Sequence, residues 1–176
     1  MSGRALVRRV TLDGALFALA VVLSVVEGML PMPAPVPGVR LGLANIAVMY
    51  ALLFVGRRDA LTLAVLKGLF AFVTRGVVAG ALSLSGGAAS VIIMIILMAA
   101  FRERVSYAML SVAGALAHNA GQMAVVKFIY SSLTLAAYAP ALVISGIASG
   151  IVTAAILRAL LPAVRRFGRN GYGSDG

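Results

Sequence analysis

Long apolar segments, separated by short polar ones, make up almost the whole chain. A helix needs about 20 mostly apolar residues to cross the hydrocarbon core of a bilayer. Six segments approach or reach this length, and charged residues, serines, glycines or a helix-starting proline separate them. The predicted spans are 10–30, 41–56, 60–80, 83–101, 106–130 and 139–161. This pattern predicts an all-α integral membrane protein whose six transmembrane helices form one domain over 10–162, with the third and fourth joined near Gly80–Gly87.

A proline-rich segment separates the first two apolar runs. Residues 31–37 are Pro-Met-Pro-Ala-Pro-Val-Pro, and Gly38 and Arg40 follow them. Each proline lacks an N–H and restricts the residue before it, so the segment is not helical. Proline-rich chain is also stiff. We therefore predict an irregular loop over 31–40 that covers a ligand site as a preformed cap.

The composition is that of a membrane protein. Hydrophobic residues make up 62% of the chain and charged residues 11%, whereas soluble domains carry about 25% charged residues. The net charge of +10 would indicate nucleic acid in a soluble protein, but here it reflects topology and attraction to lipid headgroups. We expect the lipid bilayer, and no nucleic acid, as a partner. With no cysteine, one histidine and five acidic residues, we expect no disulfide, metal site or cofactor.

The distribution of Lys and Arg predicts the orientation. If both termini are cytoplasmic, eleven arginines lie on the cytoplasmic side and only four basic residues do not. Cytoplasmic loops carry such an excess of positive charge. We predict a multi-pass protein of the plasma membrane, with a basic cytoplasmic segment at 1–9, a basic disordered tail at 163–176, and the proline-rich loop outside.

Charged residues inside or beside the spans are the first candidate ligand contacts. Glu27, Arg40, Lys67, Arg75 and Lys127 together carry a positive charge, mostly in the outer half of the predicted bundle. Ionisable groups within spans cost energy and usually face the bundle interior, so a pocket there favours phosphate, diphosphate or carboxylate. The alternative is that the long side chains snorkel to lipid headgroups, which fits Arg75 and Lys127 better than the deeper Lys67.

A polar cluster lies near the centre of the fifth span. His118 and Gln122 are four residues apart, and Asn119 and Gln122 are three apart, so we expect all three on one helical face. They would orient the polar head of a ligand. The alternative is hydrogen bonding between helices.

Small residues recur at four-residue spacing in the first and last spans. The pairs are Gly14 and Ala18, Ala20 and Ser24, and Gly146 and Gly150. Such pairs let helix backbones approach closely, either within the bundle or against another membrane protein. The sequence contains neither an Asp-rich motif for magnesium and diphosphate nor a phosphate-binding ATPase loop. We therefore predict that the chain is not an enzyme and has no catalytic residues.

Four motifs together resemble a known family. They are Pro-x-Pro…Pro-Gly-x-Arg-Leu-Gly-Leu-Ala-Asn over 31–45, Ser83-Leu-Ser-Gly-Gly87, Ala117-His-Asn-x-Gly-Gln122 and Ile144-Ser-Gly-x-x-x-Gly150. With these motifs, nearly the whole chain resembles the Gx transporter family, which is often labelled heptaprenyl diphosphate synthase component I. That family is similar in turn to the substrate-binding S components of energy-coupling factor (ECF) transporters.

The resemblance implies a six-helix bundle with an external lid loop, a ligand site beneath it, and a docking motif of small residues on the first helix. On this chain the docking residues would be Gly14, Ala15 and Ala18, and the partners would be a coupling transmembrane subunit and two ATPases. The family's association with flavin- and quinone-linked electron transfer implies redox membrane partners as an alternative.

The leading hypothesis is a substrate-binding membrane subunit of an ECF-type uptake transporter that captures a small anionic or amphipathic ligand at the outer face. The alternatives are a membrane subunit of a flavin- or quinone-linked electron-transfer system and an accessory component of prenyl diphosphate (isoprenoid) synthesis. The predicted ligand-binding residues are Glu27, Arg40, Asn45, Lys67, Arg75, His118, Asn119 and Gln122.

Overall fold

Helices account for nearly all of the chain that the structure describes. The computed structural model describes residues 3–29, 42–130 and 139–170, which form six α-helices and one short 3₁₀ helix at Arg102–Arg104. The α-helices are α1 (Gly3–Met29), α2 (Asn45–Phe54), α3 (Arg57–Arg75), α4 (Val77–Phe101), α5 (Tyr107–Ile129) and α6 (Ala139–Asn170). The predicted all-α class is confirmed for these residues. The proline-rich loop 31–40 lies outside them.

Three of the described helices are long and apolar enough to cross a membrane. These segments are Arg9–Met29, Val77–Phe101 and Ala139–Pro162, and they indicate a membrane protein, as predicted. By contrast α2 has only 10 residues. At about 1.5 Å per residue it covers roughly half of the hydrocarbon thickness.

Short α2 occupies the centre of the bundle. Six of its residues are buried, among them Ala47, Met49 and Ala51. Around it α4 packs between α3 and α5, and α5 packs in turn against α6. The core therefore draws on every α-helix, and Leu63 of α3 and Leu110 of α5 are among its most completely buried side chains.

Polar side chains lie inside the bundle, and large apolar side chains lie on its surface. Buried polar residues include Glu27, Lys67 and Gln122, whereas Val73 is 82% exposed and Phe128 is 90% exposed. This differs from a soluble protein, in which charged residues are almost never fully buried unless paired. It is the arrangement expected of a bundle surrounded by hydrocarbon.

The connection between α3 and α4 differs from the sequence prediction. Residues 83–87 lie within α4 and form no turn; the chain turns at Gly76, whose φ of 91° is readily adopted only by glycine. The glycines of α4 serve close packing instead. A Cβ built at Gly80 would lie 2.6 Å from the Cβ of Phe72 in α3. Small residues were therefore a sign of helix contact rather than of a chain reversal.

Two helices extend beyond the predicted spans. Helix α1 begins at Gly3, and α6 continues through Pro162 to Asn170, into the segment 163–176 for which we predict disorder. The spans are predicted from hydropathy, and hydropathy falls where the arginines begin. Arginine has a high helix propensity, so the helix itself continues further.

The glycines on α6 and α1 give opposite stability predictions. A Cβ at Gly150 would lie 2.5 Å from the Cα of Val112 in α5, whereas no described atom lies within 4 Å of one at Gly14. We expect Gly150→Ala to lower the free energy of unfolding by about 1–3 kcal/mol through overpacking. Gly14→Ala should raise it by up to about 1 kcal/mol through helix propensity. Reversible unfolding in detergent measures both, and equal effects of the two variants would contradict the packing described here.

Candidate ligand-binding site

A polar cavity of about 120 Å³ lies between α1, α3, α4 and α5, beside the turn that leads into α2. Charged, amide and hydroxyl side chains from different helices line it, together with a few small or apolar residues. Its lining residues are Ser24, Glu27, Gly42, Ala44, Asn45, Lys67, Ala71, Arg75, Ala79, Leu82, Ser83, His118 and Gln122.

The end of α1 is tied to the start of α2 by a carboxylate. Glu27 is 5% exposed, and its Oε1 accepts a hydrogen bond from the backbone N–H of Gly42 at 2.6 Å. Gly42 has a φ of 70° and its carbonyl accepts from the N–H of Asn45 at 2.8 Å. This left-handed glycine turns the chain so that its N–H points at Glu27 while Asn45 begins α2.

A buried cation joins α2 to α3. Lys67 is 7% exposed, and its Nζ donates to Oδ1 of Asn45 at 2.5 Å. Lys67 belongs to the face of α3 that also buries Leu63, Ala64 and Ala71. A lysine held this deeply is costly without polar partners, so the bond to Asn45 offsets part of its lost hydration.

A second cation reaches the cavity from the end of α3. Arg75 is exposed as a whole, but its Nη2 donates to Oγ of Ser24 in α1 at 2.5 Å. Ser24 lies one helical turn before Glu27, so both side chains face the cavity from the same side of α1. The guanidinium therefore sits at the mouth of the cavity while Lys67 lies deeper.

Helix α5 contributes His118 and Gln122, which lie one turn apart on the face toward the cavity. Gly86 of α4 makes room for the histidine, because a Cβ there would lie 2.8 Å from the imidazole Nδ1. Gln122 is 7% exposed, and its Oε1 is buried with no hydrogen-bond partner among the described residues. The glycine motif of α4 and the polar motif of α5 thus pack directly against each other beside the cavity.

The structure brings six of the eight predicted ligand-binding residues to this cavity. These are Glu27, Asn45, Lys67, Arg75, His118 and Gln122. Arg40 lies outside the described residues. Asn119 does not line the cavity: its Nδ2 donates to the carbonyl of Leu142 in α6 at 2.9 Å, an interhelical hydrogen bond of the kind given as the alternative.

Two serines outside the predicted ligand-binding set also line the cavity. In the sequence Ser24 belongs to a small-residue pair, and Ser83 lies in the segment predicted to join the third and fourth helices. The helical spacing of Ser24 and Glu27 was a usable indication, because residues three apart share a face. For Ser83 the indication was missing until the turn at Gly76 placed it inside α4.

Comparison with known proteins identifies the family. The family model described as heptaprenyl diphosphate synthase component I matches residues 16–160. The chain belongs to this family. None of the curated proteins and none of the solved structures compared with the chain matches it. The match confirms the resemblance drawn from the motifs. The family is described as a component of a synthase, and that description assigns no reaction to the component itself.

The described lining of the cavity places two cations beside one carboxylate and one imidazole. Within 3–29, 42–130 and 139–170, no group of three or more His, Cys, Asp or Glu side chains is placed to hold a metal ion. Glu27 and His118 line the cavity, but beside them stand the cations Lys67 and Arg75. This donor set suits direct contact with an anion rather than coordination of Mg²⁺, which binds through carboxylates and water.

The small-residue pairs divide into two groups. Gly146 and Gly150 pack inside the bundle, since Cβ atoms there would lie 2.9 Å from Leu116 and 2.5 Å from Val112 of α5. On α1, by contrast, Gly14, Ala15 and Ala18 are all exposed. The predicted docking residues of this family member therefore form an open face in the middle of α1.

An ion pair holds the other end of α1. Arg9 bonds Asp59 of α3 through two hydrogen bonds, Nε to Oδ1 at 2.7 Å and Nη2 to Oδ2 at 2.6 Å. Arg9 is 18 residues from Glu27, or about 27 Å along the helix at 1.5 Å per residue. This pair is therefore remote from the cavity. The hydrogen bond from Arg9 lowers the pKa of the Asp59 carboxyl, with the charge of Arg9 acting in the same direction.

The lowered pKa of Asp59 predicts the pH dependence of stability. A group whose folded-state pKa is depressed stabilises the fold above its unfolded pKa and loses this contribution as the pH falls through the folded value. We expect the wild type to lose stability in acid, and Asp59→Asn to be less stable than wild type near neutrality but equally stable at low pH. Unfolding midpoints in detergent between about pH 7 and pH 2 measure this. A constant difference across the range would contradict it.

Proposed function

We propose that this protein is the substrate-binding membrane subunit of an ECF-type uptake transporter, in the manner of an S component, and captures a small ligand at the outer face of the plasma membrane. The observation that carries the proposal is the cavity itself. Charged and amide side chains from α1, α2, α3 and α5 meet there, inside a bundle whose surface is apolar. Buried ionisable groups in a membrane protein usually mark a ligand or ion site.

The proposal includes six transmembrane helices with both termini in the cytoplasm. Helix α3 is less apolar than the three clear spans because of its charged residues, but Asp59 and Lys67 are buried. Between the exposed arginines at its two ends, its exposed large side chains, Leu69, Phe72 and Val73 among them, are apolar. A helix with this distribution is compatible with lipid. Helix α5 supports the same interpretation, since its polar residues His118, Asn119 and Gln122 face inward.

The open face of α1 supports docking of a coupling transmembrane subunit. Small residues allow helix backbones in a membrane to approach closely. No described atom lies within 4 Å of the position that a Cβ at Gly14 would occupy, so packing within the described chain does not account for this glycine. Gly14, Ala15 and Ala18 would contact the coupling subunit, which two ATPases drive. The chain itself would then be a binding subunit rather than an enzyme.

Replacing Lys67 tests the site. We expect Lys67→Met to weaken binding of the compound that co-purifies with the native protein, identified by mass spectrometry, by about 30-fold or more. Truncating one member of a buried, hydrogen-bonded charge pair costs about 2 kcal/mol or more. Equilibrium binding in nanodiscs measures it.

The matched control is Lys127→Met, because Lys127 is exposed and does not line the cavity. Its affinity should equal that of the wild type. Equal affinities for all three proteins would remove the cavity from the proposal. A co-purified flavin or quinone that supports electron transfer without uptake would favour the redox alternative, and prenyl transfer with a partner chain would favour the synthase alternative.

Introducing a large side chain tests the docking face. We expect Gly14→Leu to abolish co-purification of the coupling subunit from native membranes while leaving ligand binding unchanged. Gly28→Leu is the control, because Gly28 also lies on α1 with no described atom near its Cβ position but is 14 residues away. Retention of the subunit by Gly14→Leu would contradict docking at this face.

A further inference from the structure

We propose that a groove between α5 and α6 binds one anionic phospholipid of the surrounding membrane, with an acyl chain along the groove and the phosphate at Lys127. This site is separate from the polar cavity, and no described residue lines both. The composition of the groove, its depth in the membrane and the charge at its end lead to this proposal.

The groove is open to the surface of the bundle and almost entirely apolar. Its volume is about 460 Å³. Apolar side chains from two helices line it: Leu116, Ala120 and Met123 of α5, and Ala139 and Val143 of α6. Of the described lining residues Asn119 alone is polar, and its Nδ2 already donates to the carbonyl of Leu142 at 2.9 Å. Because a cavity of about 150 Å³ holds benzene, the groove has room for a long stretch of hydrocarbon chain.

The depth of the groove matches one lipid leaflet. Helices α5 and α6 run antiparallel, with Asn119 beside Leu142 and Leu116 beside Gly146, where a Cβ would lie 2.9 Å from the Leu116 side chain. This close packing ends the groove at its deep side. From Leu116 to Lys127 the helix rises about 16 Å at 1.5 Å per residue, and half of the hydrocarbon thickness is about 15 Å. An acyl chain in the groove therefore brings its headgroup to the level of Lys127.

The shallow end of the groove carries positive charge. Lys127 is exposed and follows Met123 by four residues and Ala120 by seven, so it continues the face of α5 that lines the groove. Tyr130, which ends the helix and is 50% exposed, is of a type enriched at the headgroup level. Neither α5 nor α6 contains an acidic residue. An ammonium has three N–H donors, so it can bind a phosphate beside another acceptor.

A tryptophan reporter tests the groove, because the chain contains no tryptophan. Val143→Trp places the reporter at the groove wall, and Ile92→Trp is the matched control. Val143 is 48% exposed and Ile92 is 49% exposed, and Ile92 lies on α4, which has no charged residue. The full chain is reconstituted in vesicles that mix brominated with unbrominated lipid. Fluorescence quenching then gives the relative association of phosphatidylglycerol and phosphatidylcholine at each reporter.

We expect phosphatidylglycerol to be preferred about fivefold at the Val143→Trp reporter, which is the effect of one lysine near a membrane surface. At the Ile92→Trp reporter the two lipids should associate equally. Equal preferences at both reporters would mean that anionic lipid surrounds the whole bundle alike, and would overturn the proposal.

Further variants in the Val143→Trp background separate charge from shape. Lys127→Gln removes the ammonium and should make the two lipids equal. Ala120→Leu fills the groove but retains Lys127, and it should also lower the preference toward equality. Ala124→Leu is its control, because Ala124 is a second exposed alanine of α5 that does not line the groove. This variant should keep the full preference.

Two other results would contradict the proposal. A preference that is lost in Lys127→Gln but kept in Ala120→Leu would show attraction of headgroups without occupation of the groove. Absence of quenching by either lipid at the Val143→Trp reporter would show that protein covers the groove. If quenching then returned at a lower protein-to-lipid ratio, the occupant would be a second copy of this chain.

Discussion

Every polar side chain in this bundle is subject to one constraint: hydrocarbon offers it no partner. An unsatisfied backbone or side-chain group in lipid costs several kcal/mol, so polar groups collect where they can satisfy each other. Lys67 with Asn45, and Glu27 with the N–H of Gly42, are the central examples. These polar groups meet at the cavity between α1, α3, α4 and α5.

The same constraint explains how α3 differs from the three clear spans. Its average hydropathy is reduced by the inward-facing Asp59 and Lys67 and by exposed arginines at its two ends, while the large side chains that it exposes between those ends are apolar. Hydropathy averaged along a helix weights both faces equally. It therefore underestimates how well a helix with an inward-facing polar site can lie in a membrane. The short helix α2 is a related case. Its residues are buried by protein on most sides, so its length need not match the bilayer thickness.

Several site residues could be predicted because a charged side chain that faces hydrocarbon is costly. Ionisable residues within a span usually face inward, which is how Glu27, Lys67 and Arg75 could be selected without a structure, although Lys127 near the end of α5 is exposed. The neighbouring element that each inward-facing side chain contacts was not predictable. His118 and Asn119 are adjacent, and successive residues of an α-helix differ by about 100° in direction. One therefore faces the cavity and the other faces Leu142 of α6. Deciding between them requires knowing which helices flank α5, and chain order alone does not state that.

The turn at Gly76 was missed for a similar reason. In the sequence, a glycine that permits close helix packing looks the same as a glycine at which the chain turns.

Helix α1 shows how these local contacts combine. Its two ends are fixed to the rest of the bundle by polar bonds, from Arg9 to Asp59 at the start and through Ser24 and Glu27 near the end. Between them, Gly14, Ala15 and Ala18 remain exposed. Directional polar bonds at the ends, together with Leu16 and Ala20 buried on the inner face, hold the helix in place while its outer face stays uncovered. The bonds near its end also belong to the cavity, so a ligand that engages Arg75 or Glu27 would act directly on the helix that carries the open face. If that face docks a coupling subunit, ligand capture and docking share one rigid element, and no separate relay through the bundle is required.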